Sequence, residues 1–392
     1  MRSRRASVLF YADLCGPYVP PDLEARPVGG SETALMSVAE GLARAGHRVM
    51  VVGHPGDRAG VYSGVEYVEV RSPTWQNRAE VDVAVVFRQL PHVRRRLPGR
   101  VRLLWAHDHI GIYPEMAPGV RRWLLEAAWR RIGYRAFGRY VRGGVVAVSG
   151  WLGTCFRDFA RWPADQIRVI PNGVHPDLFA GSGEVTLEEP PGANGALRIA
   201  YTSVPERGLA LLIRDVMPRI WARLPQVELH VFSYRPLEPY RDLLRRLGGA
   251  ADKVHLRGGL PKRELARALS QCHLWAYPTD FPETSCIAAM EAQAAGLPVV
   301  TSRRYALTET VEDGQTGLLI AGEVGSPDYV RRFAQACIDL LQDPHRRAQM
   351  GRQAARRIVS RFTWQQVVRQ WSELLDELLA RHETVREVLH GR

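Results

Sequence analysis

Two glutamates, Glu283 and Glu291, stand eight positions apart in the stretch Tyr277-Pro-Thr-Asp-Phe-Pro-Glu283-Thr-Ser-Cys-Ile-Ala-Ala-Met-Glu291-Ala-Gln-Ala-Ala-Gly296. An ionised carboxylate only accepts hydrogen bonds, and one such group takes both hydrogens of a vicinal diol. The stretch reads as a strand entering a loop that opens a helix over 284–295, capped by Thr284 or Ser285 and closed by Gly296. Eight residues of helix rise roughly 12 Å at about 1.5 Å each. That span matches the two ends of a nucleotide-sugar, one acid holding sugar hydroxyls and the other ribose hydroxyls. The helix start at Thr284, Ser285 and Cys286 would turn its amides and positive dipole end toward a diphosphate.

Other residues suit the same chemistry. Gly29-Gly30-Ser-Glu lies between the first strand and an amphipathic helix, a position that raises it as a candidate; alone it is an ordinary turn, and it is not the Gly-x-Gly-x-x-Gly of a dinucleotide site. His107-Asp108-His109 follows an apolar strand and reads equally as a group beside a reacting sugar or as a capped loop. It has no further cysteine or carboxylate cluster to complete a metal site.

These residues need a scaffold of strands and helices. In the first half, apolar runs at 6–11, 48–53, 65–70, 81–87, 101–106 and 145–148 alternate with helical patterns such as 31–45, as βαβ units do. Runs such as Val-Asp-Val-Ala-Val-Val-Phe are continuous, as parallel strands buried on both faces require. Residues 180–196 are rich in Gly, Pro and Glu and mark a linker. A second series follows, with strands at 197–202, 227–232, 254–256, 274–277 and 298–301 and helices near 208–223, 262–271 and 284–295. After Tyr329 the pattern is helical to the end, and Trp364, Val367, Val368, Trp371, Leu374, Leu375 and Leu378 make one apolar stripe. The expected fold is α/β: two Rossmann-like, doubly wound domains (1–178 and 179–362) facing across a cleft, with helix 363–392 packing back on the first.

With these pieces in order, the chain resembles the retaining glycosyltransferases of GT-B fold, in particular the group 1 or GT4 family, whose Glu-x7-Glu motif matches Glu283 and Glu291. Val146-Ala-Val-Ser149, Ile167 to Val174 with Phe179, Pro205-Glu206-Arg207-Gly208-Leu209, and Val254-His-Leu-Arg257-Gly258 are similar to further family segments, and Gly29-Gly30 to its glycine loop. The resemblance implies sugar transfer from a UDP-, GDP-, ADP- or TDP-sugar without a metal cofactor, with His107 against the transferred sugar and Arg207 on the diphosphate. Arg207 stands for the family's lysine, Thr202 and Ser203 for its preceding arginine, and Thr284-Ser285-Cys286 for its glycine. The second phosphate contact is then either missing or supplied by Arg257 or a first-domain arginine, with Ser203 a further donor-binding residue.

Composition narrows the alternatives. The formal charge is +12, almost all of it from arginine, since Lys253 and Lys262 are the only lysines. That favours anionic partners in general. Nothing in the chain forms a nucleic-acid module, so no nucleic-acid partner is expected. The five scattered cysteines lack zinc or disulfide spacing. No apolar run reaches the roughly 18 residues of a membrane span, and the basic Met1–Arg5 segment leads into a strand, so a cytoplasmic protein is expected. The basic, aromatic segment 120–142 reads as an amphipathic helix: a solvated face, or a peripheral contact with an anionic inner-membrane face. The acceptor is left open, with variable loops such as 16–28 and 73–78 to shape its pocket. A rival reading is a catalytically weak partner subunit that only binds the nucleotide-sugar.

Overall fold

The computed structural model describes residues 5–13, 15–78, 81–88, 90–109, 119–179 and 195–390. The linker expected at 180–196 lies outside them except for its last two residues. The chain divides into two compact units: Met1–Pro20, Ser31–Asn172 and Trp364–Arg392 form the first, and Pro21–Gly30 with Gly173–Thr363 the second. The chain leaves the first unit at 20/21 and 172/173 and re-enters it at 30/31 and 363/364. Within the second unit, the Val174 amide donates to the Phe362 carbonyl (2.8 Å) and Val174 bridges Thr363.

The first unit holds an eight-stranded sheet: β1 (Ser7–Tyr11), β2 (Arg48–Gly53), β3 (Gly60–Tyr62), β4 (Val65–Glu69), β5 (Val83–Phe87), β6 (Val101–Ala106), β7 (Gly144–Ala147) and β8 (Ile167–Val169). Their order is β3-β4-β2-β1-β5-β6-β7-β8, parallel except for β3 against β4. Every residue of β5 is buried, which is why its sequence does not alternate. The C-terminal helix Trp364–His390 belongs to this unit. Its stripe seats Trp371 edge-on against Phe10 (6.1 Å) and Trp105 (5.0 Å). Helix Gly30–Arg44 passes so close to Val368 that a Cβ on Gly41 would lie 2.2 Å from the valine Cγ2.

The basic segment forms helix Gly119–Phe137. Among its described side chains, Arg130, Arg131 and Arg135 are exposed together with Ala127, Ala128 and Ile132, the last 53% accessible, while Gly133 is buried and Tyr134 and Phe137 are half-buried. Among the described residues no helix is long and apolar enough to cross a membrane.

The second unit holds a six-stranded, wholly parallel sheet: β9 (Leu197–Thr202), β10 (Val227–Phe232), β11 (Val254–Gly258), β12 (Leu274–Tyr277), β13 (Val299–Ser302) and β14 (Gly317–Ile320), ordered β11-β10-β9-β12-β13-β14. The order reverses at β9, between β10 and β12, so a crevice at the carboxyl ends of these central strands is where such sheets take ligands. The expected helix over 208–223 is broken into Leu209–Leu211, a widened turn Leu212–Val216, and Met217–Trp221. Pro218, which has no N–H to continue the ladder, accounts for the break.

Candidate functional site

The loop after β12 is the centre of the second unit's carboxyl edge. Helix Ile287–Ala294 starts three residues later than the sequence reading placed it, so that neither Thr284 nor Ser285 occupies its capping position. The capping position is Cys286, whose backbone is left-handed (φ 58°) and whose side chain makes no cap. The preceding residues are tied elsewhere. The Glu283 carbonyl accepts from the Ala306 amide (3.2 Å), and the Ser285 carbonyl accepts from Thr310 Oγ1 (2.8 Å). Glu283 thus lies in the loop, so the 12 Å helical rise expected between the two acids does not apply. Ser285 Oγ is buried with no hydrogen-bond partner among the described residues.

Glu283 is 6% exposed and receives two charge-assisted hydrogen bonds on Oε1, from Tyr277 OH at 2.6 Å and Arg207 Nη1 at 3.0 Å. Ser203 Oγ donates to Tyr277 OH at 3.1 Å. The Arg207 guanidinium lies over the Phe281 ring, 3.7 Å from its centroid. Burial works against the charge on Arg207, but the Glu283 carboxylate outweighs it and holds the guanidinium above its ordinary pKa. The turn carrying Arg207 depends on Gly208: its φ is +108°, and a Cβ there would stand 2.2 Å from the Pro278 carbonyl oxygen. Ser203, Arg207 and Glu283, remote in sequence, are therefore one cluster.

Glu291, 5% exposed on the helix, is ion-paired through Oε1 to Lys262 Nζ at the start of helix Lys262–Leu269. Sequence reading passed over Lys262. Its signal was compositional, a lysine in a chain that otherwise uses arginine. Gly29 and Gly30 group with this unit, where a Cβ on Gly30 would meet Ile287 Cδ1 at 3.4 Å, beside the helix start. Arg257 is exposed on β11, on the strand face that carries His255 and its register partner His230, and among the described residues the carboxylate of Glu283 is bonded by Tyr277 and Arg207 instead. The burial of Cys286 pushes its thiol well above the ordinary range, and the negative charge of Glu283 adds to this, which disfavours the thiolate.

In the first unit, His107 follows β6, 5% exposed, with ring contacts of 4.7 Å to both Phe87 and Trp105. Burial, reinforced by Arg88, drives its pKa well down and keeps the ring neutral. Asp108 is held bidentately by Arg88 at 2.9 and 3.0 Å. Arg88 itself has left-handed backbone (φ 68°), a strained conformation of the kind found at functional sites.

Two family profiles match the chain: "Glycosyltransferase Family 4" over residues 28–178 and "Glycosyl transferases group 1" over 196–343. The chain belongs to the group 1 glycosyltransferases. Among curated members, it is 32% identical over 226 residues to the MMP alpha-(1->4)-mannosyltransferase of Mycolicibacterium hassiacum, a match covering 57% of this chain and 51% of that one. It is 29% identical over 270 residues to the GDP-mannose-dependent alpha-(1-6)-phosphatidylinositol monomannoside mannosyltransferase of Mycolicibacterium smegmatis, covering 64% and 65%. The chain thus spans less than two thirds of the length of either relative. By fold, it is similar to the sucrose-phosphate synthase of Thermosynechococcus elongatus (TM-score 0.74, 18% identity, 96% of this chain and 100% of that one). It is also similar to Anabaena HepE in complex with UDP and glucose (TM-score 0.71, 19% identity, 95% and 100%). These neighbours are GT-B glycosyltransferases, in agreement with the two Rossmann-like units. The structure also gives a physical reading of a family departure: a left-handed backbone, which suits glycine, is carried by Cys286.

Proposed function

We propose that this group 1 glycosyltransferase transfers a sugar, with retention of anomeric configuration, from a nucleoside-diphosphate sugar to an acceptor hydroxyl. The observation that carries the reading is the buried Glu283 carboxylate, with both hydrogen bonds on Oε1 and Oε2 left to accept from a sugar hydroxyl. Glu291, paired on Oε1, offers its other oxygen to ribose hydroxyls in the same way.

In this mechanism the bond between the anomeric carbon and the diphosphate oxygen breaks while the acceptor oxygen bonds to the same face. The acceptor proton passes to the departing diphosphate. Arg207, the amides at Ile287 and those of Gly29-Gly30 stabilise the charge that develops there, with Ser203 and the unpartnered Ser285 hydroxyl as further donors. Each positioned donor is worth on the order of 3 kcal/mol. His107, held neutral, would contact the transferred sugar. No step needs a metal, and chelator-insensitive turnover is the expected result.

The donor follows from relatives only as a starting point: one curated member is named for GDP-mannose, and one structural neighbour holds UDP. Melting shifts and donor hydrolysis across UDP-, GDP-, ADP- and TDP-sugars test the reading, and NMR of the product gives the anomeric outcome. Binding without hydrolysis or transfer would instead favour the partner-subunit reading, and no binding would sink both. A peripheral contact of helix Gly119–Phe137 with anionic membrane is supported by exposed Ile132 among arginines. Co-sedimentation with anionic vesicles tests it.

A further inference from the structure

Glu228 and His230 occupy alternate positions of β10 and so share one face of the sheet. His255 on β11 is the register partner of His230. Nε2 of His230 is 3.0 Å, and Nε2 of His255 3.6 Å, from the same Glu228 oxygen, Oε2. The two imidazoles are 4.7 Å apart between centroids, and the three ligand atoms lie within 4.8 Å of one another. His255 Nε2 is buried and makes no hydrogen bond; 3.6 Å is too long for one. Ligand atoms set tetrahedrally around a zinc ion at about 2.0–2.2 Å are roughly 3.3 Å from each other. The cluster is already close to that spacing.

We propose that Glu228, His230 and His255 form a three-ligand site for a divalent transition metal, Zn2+ by ligand type, with water in the fourth position. β11 is the edge strand and the His255 side chain is 30% exposed, which gives an ion a way in. Two arginines share the face. Arg198 Nε is 3.5 Å from Glu228 Oε2, and Arg257 is two residues beyond His255. Their charge offsets Glu228 without a metal and weakens the hold on a dication, so uptake is expected at micromolar rather than nanomolar metal. Arg198 and Glu228 stand at the amino ends of their strands, whereas Ser203 lies past the carboxyl end of β9, roughly 16 Å away at about 3.3 Å per residue. The metal would therefore staple the edge strand to β10, where the ladder shifts register between Val231 and Phe232, and would take no part in sugar transfer. Spacing rules for zinc miss the site because its ligands come from two neighbouring strands rather than from one short motif.

The test uses the full chain, stripped with a chelator and then dialysed against ZnCl2. One zinc per chain, a raised melting temperature, and the visible absorption of a tetrahedral Co2+ complex on cobalt substitution are expected. His255→Gln, on a partly exposed edge, should fold and melt as the metal-free wild type does yet lose all three responses. His345→Gln, at an exposed position elsewhere, should keep them. No uptake by wild type at micromolar zinc, or equal uptake by His255→Gln, would overturn the proposal.

Discussion

Tyr277 and Arg207 converge on the same oxygen of Glu283, and Arg207 is sandwiched between that carboxylate and the face of Phe281. The carboxylate therefore has a structural task, neutralising a largely buried guanidinium, as well as the proposed catalytic one. Glu283→Gln keeps the shape and removes the charge. We expect kcat to fall on the order of 10²–10³-fold with a smaller change in nucleotide Kd, read from steady-state kinetics and calorimetry. Unchanged kcat would remove Glu283 from the reacting centre. Tyr277→Phe, which deletes a hydrogen bond to a charged acceptor, should cost about 1.5–3 kcal/mol of stability.

Gly208→Ala tests the turn that aims Arg207. The φ of +108° and the 2.2 Å approach to the Pro278 carbonyl leave no room for a methyl group. The strained conformation alone should cost about 1–3 kcal/mol, seen as a lowered denaturant midpoint, and donor affinity should fall as Arg207 shifts. A variant as stable as wild type would mean that the turn relaxes freely.

Much of this arrangement was legible in the residue pattern, because buried parallel strands leave continuous apolar runs and a topological switch point follows from their order. β6 and β9 fall where the runs put them, and Trp371 marks the helix that returns to the first unit. What was not legible came from tertiary ties. The start of helix Ile287–Ala294 is set by Ala306 and Thr310 reaching back to the loop, which no local propensity at 284–286 encodes. The Lys262–Glu291 pair joins two helices, and the Glu228, His230 and His255 cluster needs the β10–β11 register. Such contacts are fixed by the sheet, and spacing along the chain does not reveal them.

His109 gives a pH prediction for the first unit. It is 5% exposed and packs against Trp151 at 5.5 Å, and burial lowers its pKa to about 4. The unfolded chain, with a histidine near its usual value of about 6.5, binds the proton more readily than the folded one. Stability from this residue is complete above about pH 6.5, declines as pH falls toward about 4, and is constant below that; the full difference is about 3 kcal/mol. His109→Phe cannot titrate. Denaturant melts from pH 7 to pH 4 should show a shallower acid loss for the variant than for wild type, and parallel curves would contradict the assignment.

The Lys262–Glu291 pair separates folding from binding. Both side chains are largely buried, at 12% and 6% exposure, so removing one partner leaves an uncompensated charge, at a cost of about 3–5 kcal/mol. Lys262→Met should therefore destabilise the second unit and weaken nucleotide binding together, which by itself does not tell a binding role from a structural one. The double variant Lys262→Met, Glu291→Gln removes both charges and should recover most of the lost stability, since a buried pair replaced as a whole is close to neutral. If Glu291 accepts hydrogen bonds from ribose hydroxyls, nucleotide affinity stays low in the stable double variant, because an amide oxygen is a weaker acceptor than a carboxylate. Affinity returning with stability would show instead that Glu291 serves the helix packing alone, and the ribose contact would have to be sought elsewhere in the second unit.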